Sequence, residues 1–491
     1  MVQIPDWVQD TIFYQIFPDR FAKSDRVPKP GNLEAWDSRP TVYGFKGGDL
    51  LGVTEHLDYL QELGITAIYF TPIFQSTANH RYHTHDYYRV DPILGGDAAF
   101  SELLQAARAR NIRVIIDGVF NHASRGFYQF NHILENGAAS PYVNWFNIRG
   151  YPLHAYEGKP VNYDAWWGIP ALPKMNTNLR AVREFIFGVA EHWIRLGVNG
   201  WRLDVPAEID DDSFWQEFRR RVKTANADSY IVGEIWHEAQ RWLQGDQFDA
   251  VMNYQFTRAC IGFFIGENTD ESLTTNVGFQ TYPSLDASGF AYTINHLLSL
   301  YDRAITNAQM NLLDSHDTAR FISIAKGDQS ALRLATLFQM TYPGAPSVYY
   351  ADEIGMPGGK DPDCRRTFPW DSPGQWDTSL LQYFKDCIAL RKRYTALRYG
   401  EFRFVYAEER TIAYLRSLDD QRFVVVINAG AETTINIVIH PEFGLPEGTS
   451  LTSLADPKTV YVVKNGQLSV HIGKREGVVL MAQPQTPVKT P

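Results

Sequence analysis

Eight short runs of β-branched and aromatic residues recur between residues 11 and 353, and helical periodicity fills the gaps between them. The runs are "TIFYQIF" (11–17), "ITAIYF" (65–70), "IRVIIDGVF" (112–120), "GWRLDV" (200–205), "SYIVGEIW" (229–236), "DAVMNY" (249–254), "AQMNLLDS" (308–315) and "PSVYYADE" (346–353). Between them, Val53, Leu57, Leu60 and Leu63 mark one helical face, and Phe100, Leu103, Leu104 and Ala107 another. Residues 182–197 and 380–394 repeat the theme, and Gly64 and Gly197 stand where C-terminal caps belong. Strands alternating with helices imply a parallel sheet, and eight such units imply an α/β fold of the (β/α)8 barrel type. A doubly wound sheet is the alternative, but no Gly-rich dinucleotide fingerprint follows any strand.

The spacing assigns residues 1–120 and 179–396 to the barrel. Residues 121–178, rich in Asn, Tyr, Trp, Pro and Gly, read as a domain inserted after the third strand. From 397 to 484 apolar and polar residues alternate, with Asn465-Gly466 as a hairpin signal, so this part is expected to be an antiparallel β-sandwich. Residues 485–491 read as a disordered tail.

One run resists simple burial. In "GWRLDV", alternation puts Arg202 and Asp204 on the same face of a strand that must be buried. In a (β/α)8 barrel the C-terminal strand ends carry the catalytic groups, and the other ends have the same character. The third offers Asp117, Asn121 and His122; the fifth Glu234, Trp236 and His237; the seventh Asp314, His316, Asp317 and Arg320. Carboxylates from four strand ends, with Arg and His among them, suit glycosidic bond cleavage. That reaction needs one ionised carboxylate and one protonated carboxylic acid, and crowding carboxylates separates their pKa values. Structural ion pairing is the plainer reading of one such pair; four strand ends of one kind argue against it. A transition-metal site is a further rival, but His80, His83, His85, His122, His237 and His316 show no close metal-ligand spacing.

The totals exclude other classes. A net charge of −10 without a basic block disfavours nucleic acid and anionic membranes as partners. No run of 18 apolar residues predicts a membrane span, and the start "MVQIPDWVQD" lacks a secretory leader pattern. Cys260, Cys364 and Cys387 are widely separated, which fits a reducing compartment, and a cytoplasmic location is expected. Aromatic residues reach 14%; most belong in the core, and the rest are candidate stacking platforms for sugars.

The blocks "DGVFNH", "GWRLDV", "GEIWH" and "LLDSHD", in this order, resemble the four short blocks of the α-amylase family, glycoside hydrolase family 13. "ALPKMN" (171–176) resembles a fifth block in the form typical of the neopullulanase, cyclomaltodextrinase and maltogenic amylase subfamily. The resemblance runs from about Trp7 to the C-terminus. It implies that Asp204 is the nucleophile, Glu234 the general acid/base and Asp317 the third carboxylate, gripping sugar hydroxyls. It places Arg202, His122 and His316 around the sugar at the cleavage point, with Tyr82 stacked beneath it and His80 bonded to it. Asp361 and Arg365 would hold the next sugar, and Trp236 and His237 would lie toward the leaving group. Trp166 and Trp167 would either stack substrate there or pack in the core.

Three departures refine the expectation. The first strand begins near residue 11, so the β-rich N-terminal domain of the subfamily is expected to be missing, and any homodimer would be built without it. Second, where relatives carry a calcium loop, "AKSDRVPKPGN" keeps Asp25, with Asp49 beyond it, but sets Lys23, Pro28 and Lys29 where oxygen ligands are needed. No calcium and no organic cofactor are expected. Third, Pro206 and Ala207 replace a small residue and an amide after the nucleophile, which leaves open the balance between α-1,4 and α-1,6 cleavage. The resemblance thus implies a retaining hydrolase of maltooligosaccharides, cyclodextrins, pullulan or glycogen-like branched glucans, in form like a stand-alone debranching member. A glucanotransferase or sucrose- or maltose-rearranging enzyme on the same fold, and a non-catalytic glucan-binding protein, are the alternatives.

Overall fold

In the computed structural model, which describes residues 3–275 and 283–483, each of the eight runs contains a parallel strand. They are β1 (Phe13–Ile16), β2 (Ala67–Phe70), β3 (Arg113–Gly118), β4 (Gly200–Leu203), β5 (Tyr230–Gly233), β6 (Ala250–Val251), β7 (Met310–Leu312) and β8 (Ala345–Tyr349). The sheet order is β6-β5-β4-β3-β2-β1-β8-β7, and a parallel bridge from Met252 to Met310 joins its two edges into a barrel. Alternation along the strands divides the core. Phe13, Tyr69, Ile115, Tyr230, Val232 and Met310 cluster in the lumen, while Tyr14, Ile68, Ile116, Trp201 and Ile231 join the core shared with the helices. At Gly200 an added Cβ would lie 2.2 Å from the carbonyl oxygen of Tyr230, so only glycine lets β4 and β5 approach.

The periodic segment ending at Gly64 is divided into two helices, Leu50–Glu55 and Leu57–Leu63. His56 interrupts it: its ring Nδ1 lies 2.7 Å from the carbonyl oxygen of Gly52, one turn back. Val53, Leu57, Leu60 and Leu63 are nevertheless all buried, and Gly64 ends the second helix in the left-handed conformation, φ 99°.

After β3 the chain leaves the barrel, forms a helix at Tyr128–Asn136, and returns through antiparallel bridges pairing Ile148 with Tyr163 and Phe146 with Met175. The return is tied to the mouth: Met175 N donates to the Asn121 carbonyl and Ala123 N to the Pro173 carbonyl, both at 3.0 Å.

Beyond the barrel come β9 (Glu401–Glu408), β10 (Thr411–Leu418), β11 (Gln421–Asn428), β12 (Thr433–Val438), β13 (Ser450–Ser453), β14 (Val460–Val462), β15 (Gln467–Ile472) and β16 (Glu476–Ala482). An antiparallel sheet ordered β9-β10-β11-β16-β13-β14 accompanies the antiparallel pair β12-β15, and the two share a core of Leu415, Val424, Ile435, Leu451 and Leu468. Asn465 (φ 53°) and Gly466 (φ 69°) form the turn ahead of β15. The tail expected at 485–491 lies outside the described residues.

Candidate active site

Arg202 is fully buried at the end of β4. A guanidinium keeps its charge, so it must be compensated there. Its Nη1 donates to both carboxylate oxygens of Asp117, at 3.0 and 2.9 Å, and to Asp204 Oδ1 at 3.0 Å. Its Nη2 lies 3.1 Å from Glu234 Oε2. One cation thus gathers carboxylates from β3, β4 and the end of β5. Burial pushes the Asp117 carboxyl up to about 6 against the pull of Arg202. It also raises Asp204 and Glu234, with neighbouring carboxylates adding to both. Three ionised carboxylates around one guanidinium would leave the cluster two negative charges in excess, so the arrangement favours keeping a proton on one of them.

Glu234 is held from both sides: Val205 N donates to its Oε2 at 3.0 Å and Trp236 Nε1 to its Oε1 at 3.1 Å. Asp117 also accepts from the hydroxyls of Tyr69 (2.9 Å) and Tyr82 (3.0 Å).

A second group centres on His316. Gln15 Nε2 lies 2.7 Å from His316 Nδ1; with the amide as donor, the ring proton sits on Nε2. That atom is 2.5 Å from the Tyr82 hydroxyl and 3.1 Å from Asp317 Oδ2. Arg365 Nη2 lies 3.3 Å from Asp317 and its Nη1 3.0 Å from Asp361. Burial lowers the pKa of His316 and His80 well below the usual range and brings His122 to about 3, so all three rings stay neutral near pH 7. Asn121 Nδ2 lies 3.2 Å from His122 Nδ1, while the buried His122 Nε2 has no partner. With Nδ1 accepting from the amide, Nε2 offers an N–H to a ligand.

These groups lie around and beneath a cleft of about 600 Å³. Of the residues the sequence singled out, His80, Tyr82, His122, Asp204, Glu234, Trp236, His237, Asp317, Asp361 and Arg365 line it. Arg202 and His316 lie beneath it as fully buried supports. Trp166 and Trp167 line it as well: His122 and Trp166 stack at 5.1 Å, and Trp166 and Trp167 at 4.4 Å.

Sequence reasoning did not single out His83, Glu208, Gln15 or Val205 as site residues. His83 packs edge-on against His80 at 5.0 Å, and Glu208 lines the cleft. Gln15 carried a signal, a polar side chain inside the buried run "TIFYQIF", of the kind that drew notice to Arg202.

The loop after β1 offers a calcium ion a poor set of donors. Asp49 Oδ2 is fully buried and 2.8 Å from Lys29 Nζ, which also donates to the Ile93 carbonyl at 3.1 Å. The same oxygen accepts from Ser24 N, and Oδ1 caps the helix at Gly52 N. An ammonium occupies this position and supplies no oxygen, so the donor set does not fit a calcium ion.

The family profile "Alpha amylase, catalytic domain" matches residues 15–375. A cyclomaltodextrinase of a Bacillus species is 46% identical over 430 residues, covering 87% of this chain and 74% of that protein. Neopullulanase 2 of Thermoactinomyces vulgaris is 41% identical, covering 97% and 78%. The crystal structure of a debranching enzyme from Nostoc punctiforme superposes with a TM-score of 0.88 at 47% identity, covering 98% of this chain and 99% of that one.

Proposed function

The chain belongs to the α-amylase family, and from that premise we propose that it is a retaining α-glucan hydrolase of the cyclomaltodextrinase and neopullulanase type that also opens branch points. Its substrates are maltooligosaccharides, cyclodextrins, pullulan and glycogen-like branched glucans, cut at α-1,4 or α-1,6 bonds. The observation that carries the reading is the sharing of Arg202 by Asp204 and Glu234.

In the first step the Glu234 carboxyl gives its proton to the glycosidic oxygen as the C1–O bond breaks, and Asp204 Oδ forms a bond to C1. In the second, Glu234 takes a proton from water, the water oxygen bonds to C1, and Asp204 leaves as a carboxylate. Glycoside and water are consumed, and two sugars form. Arg202 spreads its charge over the carboxylates as the proton moves. Asp317 accepts hydrogen bonds from ring hydroxyls, neutral His316 holds Asp317 and Tyr82 from beneath, and Tyr82 presents its ring face. Asp361 and Arg365 hold the next sugar on the non-reducing side, and Trp236 and His237 border the departing one. No cofactor takes part. The free thiols of Cys260, Cys364 and Cys387 support a reducing, cytoplasmic setting.

Products from pullulan test the bond: panose reports α-1,4 cleavage and maltotriose α-1,6 cleavage. Glu234→Gln should lower kcat by several orders of magnitude with substrate binding retained; an unchanged rate would remove the acid/base assignment.

A further inference from the structure

Beside the cleft lies a second cavity of about 520 Å³ that none of the steps above uses. Two elements separate it from the cleft. The first is the turn at 165–168, which shows Trp166 and Trp167 to the cleft and Ala165 and Gly168 to the second cavity. The second is an ion pair: Lys174 Nζ, from the returning strand of the 121–178 segment, lies 2.9 Å from Glu208 Oε2, just beyond β4. Glu208 borders both spaces, whereas Lys174 borders only the second.

The lining has the chemistry of a hydroxyl binder. Asn147, Asn176 and Asn178 present amides that both donate and accept, and Asp164 and Asp211 add acceptors. Asn121, 1% exposed, also borders the space, and its Oδ1 has no hydrogen-bond partner. A buried acceptor without a donor is costly and calls for one from a ligand. Each carboxylate of the lining is paired with a cation, Asp164 with Arg149, Glu208 with Lys174, Asp210 with Arg241 and Asp211 with Arg183, so the cavity carries little uncompensated charge and suits a neutral polyol. The volume falls within the range of small-ligand sites.

Position then names the ligand. When an α-1,6 branch is cut, the departing glucose carries its main chain in two directions, through O1 and O4; a linear α-1,4 chain leaves in only one. In the hydrolase reading above, the departing sugar leaves past Trp236 and His237, which line the cleft. The second cavity opens next to it across Glu208. We infer that this cavity binds the second main-chain arm of a branched neutral glucan, with Glu208 and Lys174 at the fork. The inference rests on the hydrolase reading above.

The test compares two substrates that both release maltose. One carries a maltosyl group α-1,6-linked to the central glucose of maltotriose, and so has two arms; the other carries it on the non-reducing glucose of maltose, and has one. Asn178→Trp, at an exposed position of the rim, obstructs the cavity, and Asn147→Ala removes an exposed polar contact. The expected result is a loss of about tenfold in kcat/KM for the two-armed substrate in Asn178→Trp, and a smaller loss in Asn147→Ala. The one-armed substrate and Tm should remain at wild-type values. An unchanged ratio between the substrates, or an equal loss on both, overturns the second-arm site and leaves the hydrolase reading standing. A wild-type enzyme that released maltose from neither substrate would overturn the second-arm site together with the branch-opening part of that reading, while panose from pullulan would still uphold α-1,4 hydrolysis.

Discussion

The backbone N–H of Val205 donates to Glu234 Oε2 at 3.0 Å, and Val205 makes this bond from the left-handed region, at φ 34°. A β-branched residue rarely adopts that conformation, and strain of this kind costs of order 1–3 kcal/mol. It directly follows Asp204, so the turn that ends the nucleophile's strand also aims an amide at the acid. Val205→Gly keeps the N–H and relaxes the constraint on its direction. The expected outcome is an unchanged or higher Tm with kcat lowered about tenfold, because strain is relieved while positioning loosens. Loss of Tm together with activity would mean that the Val205 side chain, and not its backbone, matters.

The Arg202 cluster predicts a pH dependence of stability. The Asp117 carboxyl lies at about 6 in the folded chain against 3.8 for the ordinary group. The folded state therefore holds this proton more tightly than the unfolded state. Below about pH 4 both states are protonated and Asp117 imposes no penalty. As pH rises from about 4 to about 6 the unfolded state binds fewer protons, so stability falls; above about 6 the penalty is constant. A shift of that size corresponds to about 2–3 kcal/mol. Denaturant unfolding at both ends of that window should show a steeper loss in wild type than in Asp117→Asn. Equal slopes would contradict a raised Asp117.

The parts of this site that were legible in the sequence are those where one strand violates its own burial rule. Arg202 and Asp204 in "GWRLDV", Asp117 in "IRVIIDGVF" and Glu234 in "SYIVGEIW" each place a charge in an apolar run. A barrel converts such positions into neighbours, because parallel strands in register bring their ends to one mouth: Asp117 pairs directly with Arg202 across β3 and β4. What composition and periodicity did not carry depends on how the irregular segment folds back. The Lys174–Glu208 pair joins residues 34 apart through a bridge between His122 and Lys174 that has no periodic signature. The break at His56 was equally hidden, because it arises from a ring bonding the preceding turn while the apolar spacing continues unbroken.

Lys29 makes a claim that metal analysis can check. Its ammonium compensates the fully buried Asp49 carboxylate, which also organises Ser24 and the start of the helix Leu50–Glu55. Chelator should leave both Tm and activity of the wild type unchanged. Lys29→Met removes the charge and leaves a buried carboxylate unpaired, a change that costs roughly 3–5 kcal/mol when burial is complete. A lower Tm is therefore expected in the variant. Stoichiometric calcium in the wild-type protein at this loop would refute the assignment.

Trp167 separates stability from binding. It is 79% exposed, sits at φ 50°, and stacks on Trp166 at 4.4 Å, which itself stacks on His122 at 5.1 Å. One face of the ring is therefore covered, and Trp167 borders the cleft that Trp236 and His237 also line. An exposed indole in a strained backbone is poor economy for folding alone, since left-handed geometry costs about 1–2 kcal/mol; it is well suited to carrying a sugar face. Trp167→Gly accepts the positive φ without strain, so Tm should hold or rise. The same variant should weaken substrates with sugars on the leaving-group side: KM for maltotetraose is expected to rise about tenfold, at the upper end of ring-stacking energies. An aryl maltoside, which places no sugar beyond the cleavage point, should keep its wild-type kcat/KM. Equal losses on the two substrates, or none on either, would return Trp167 to a packing role.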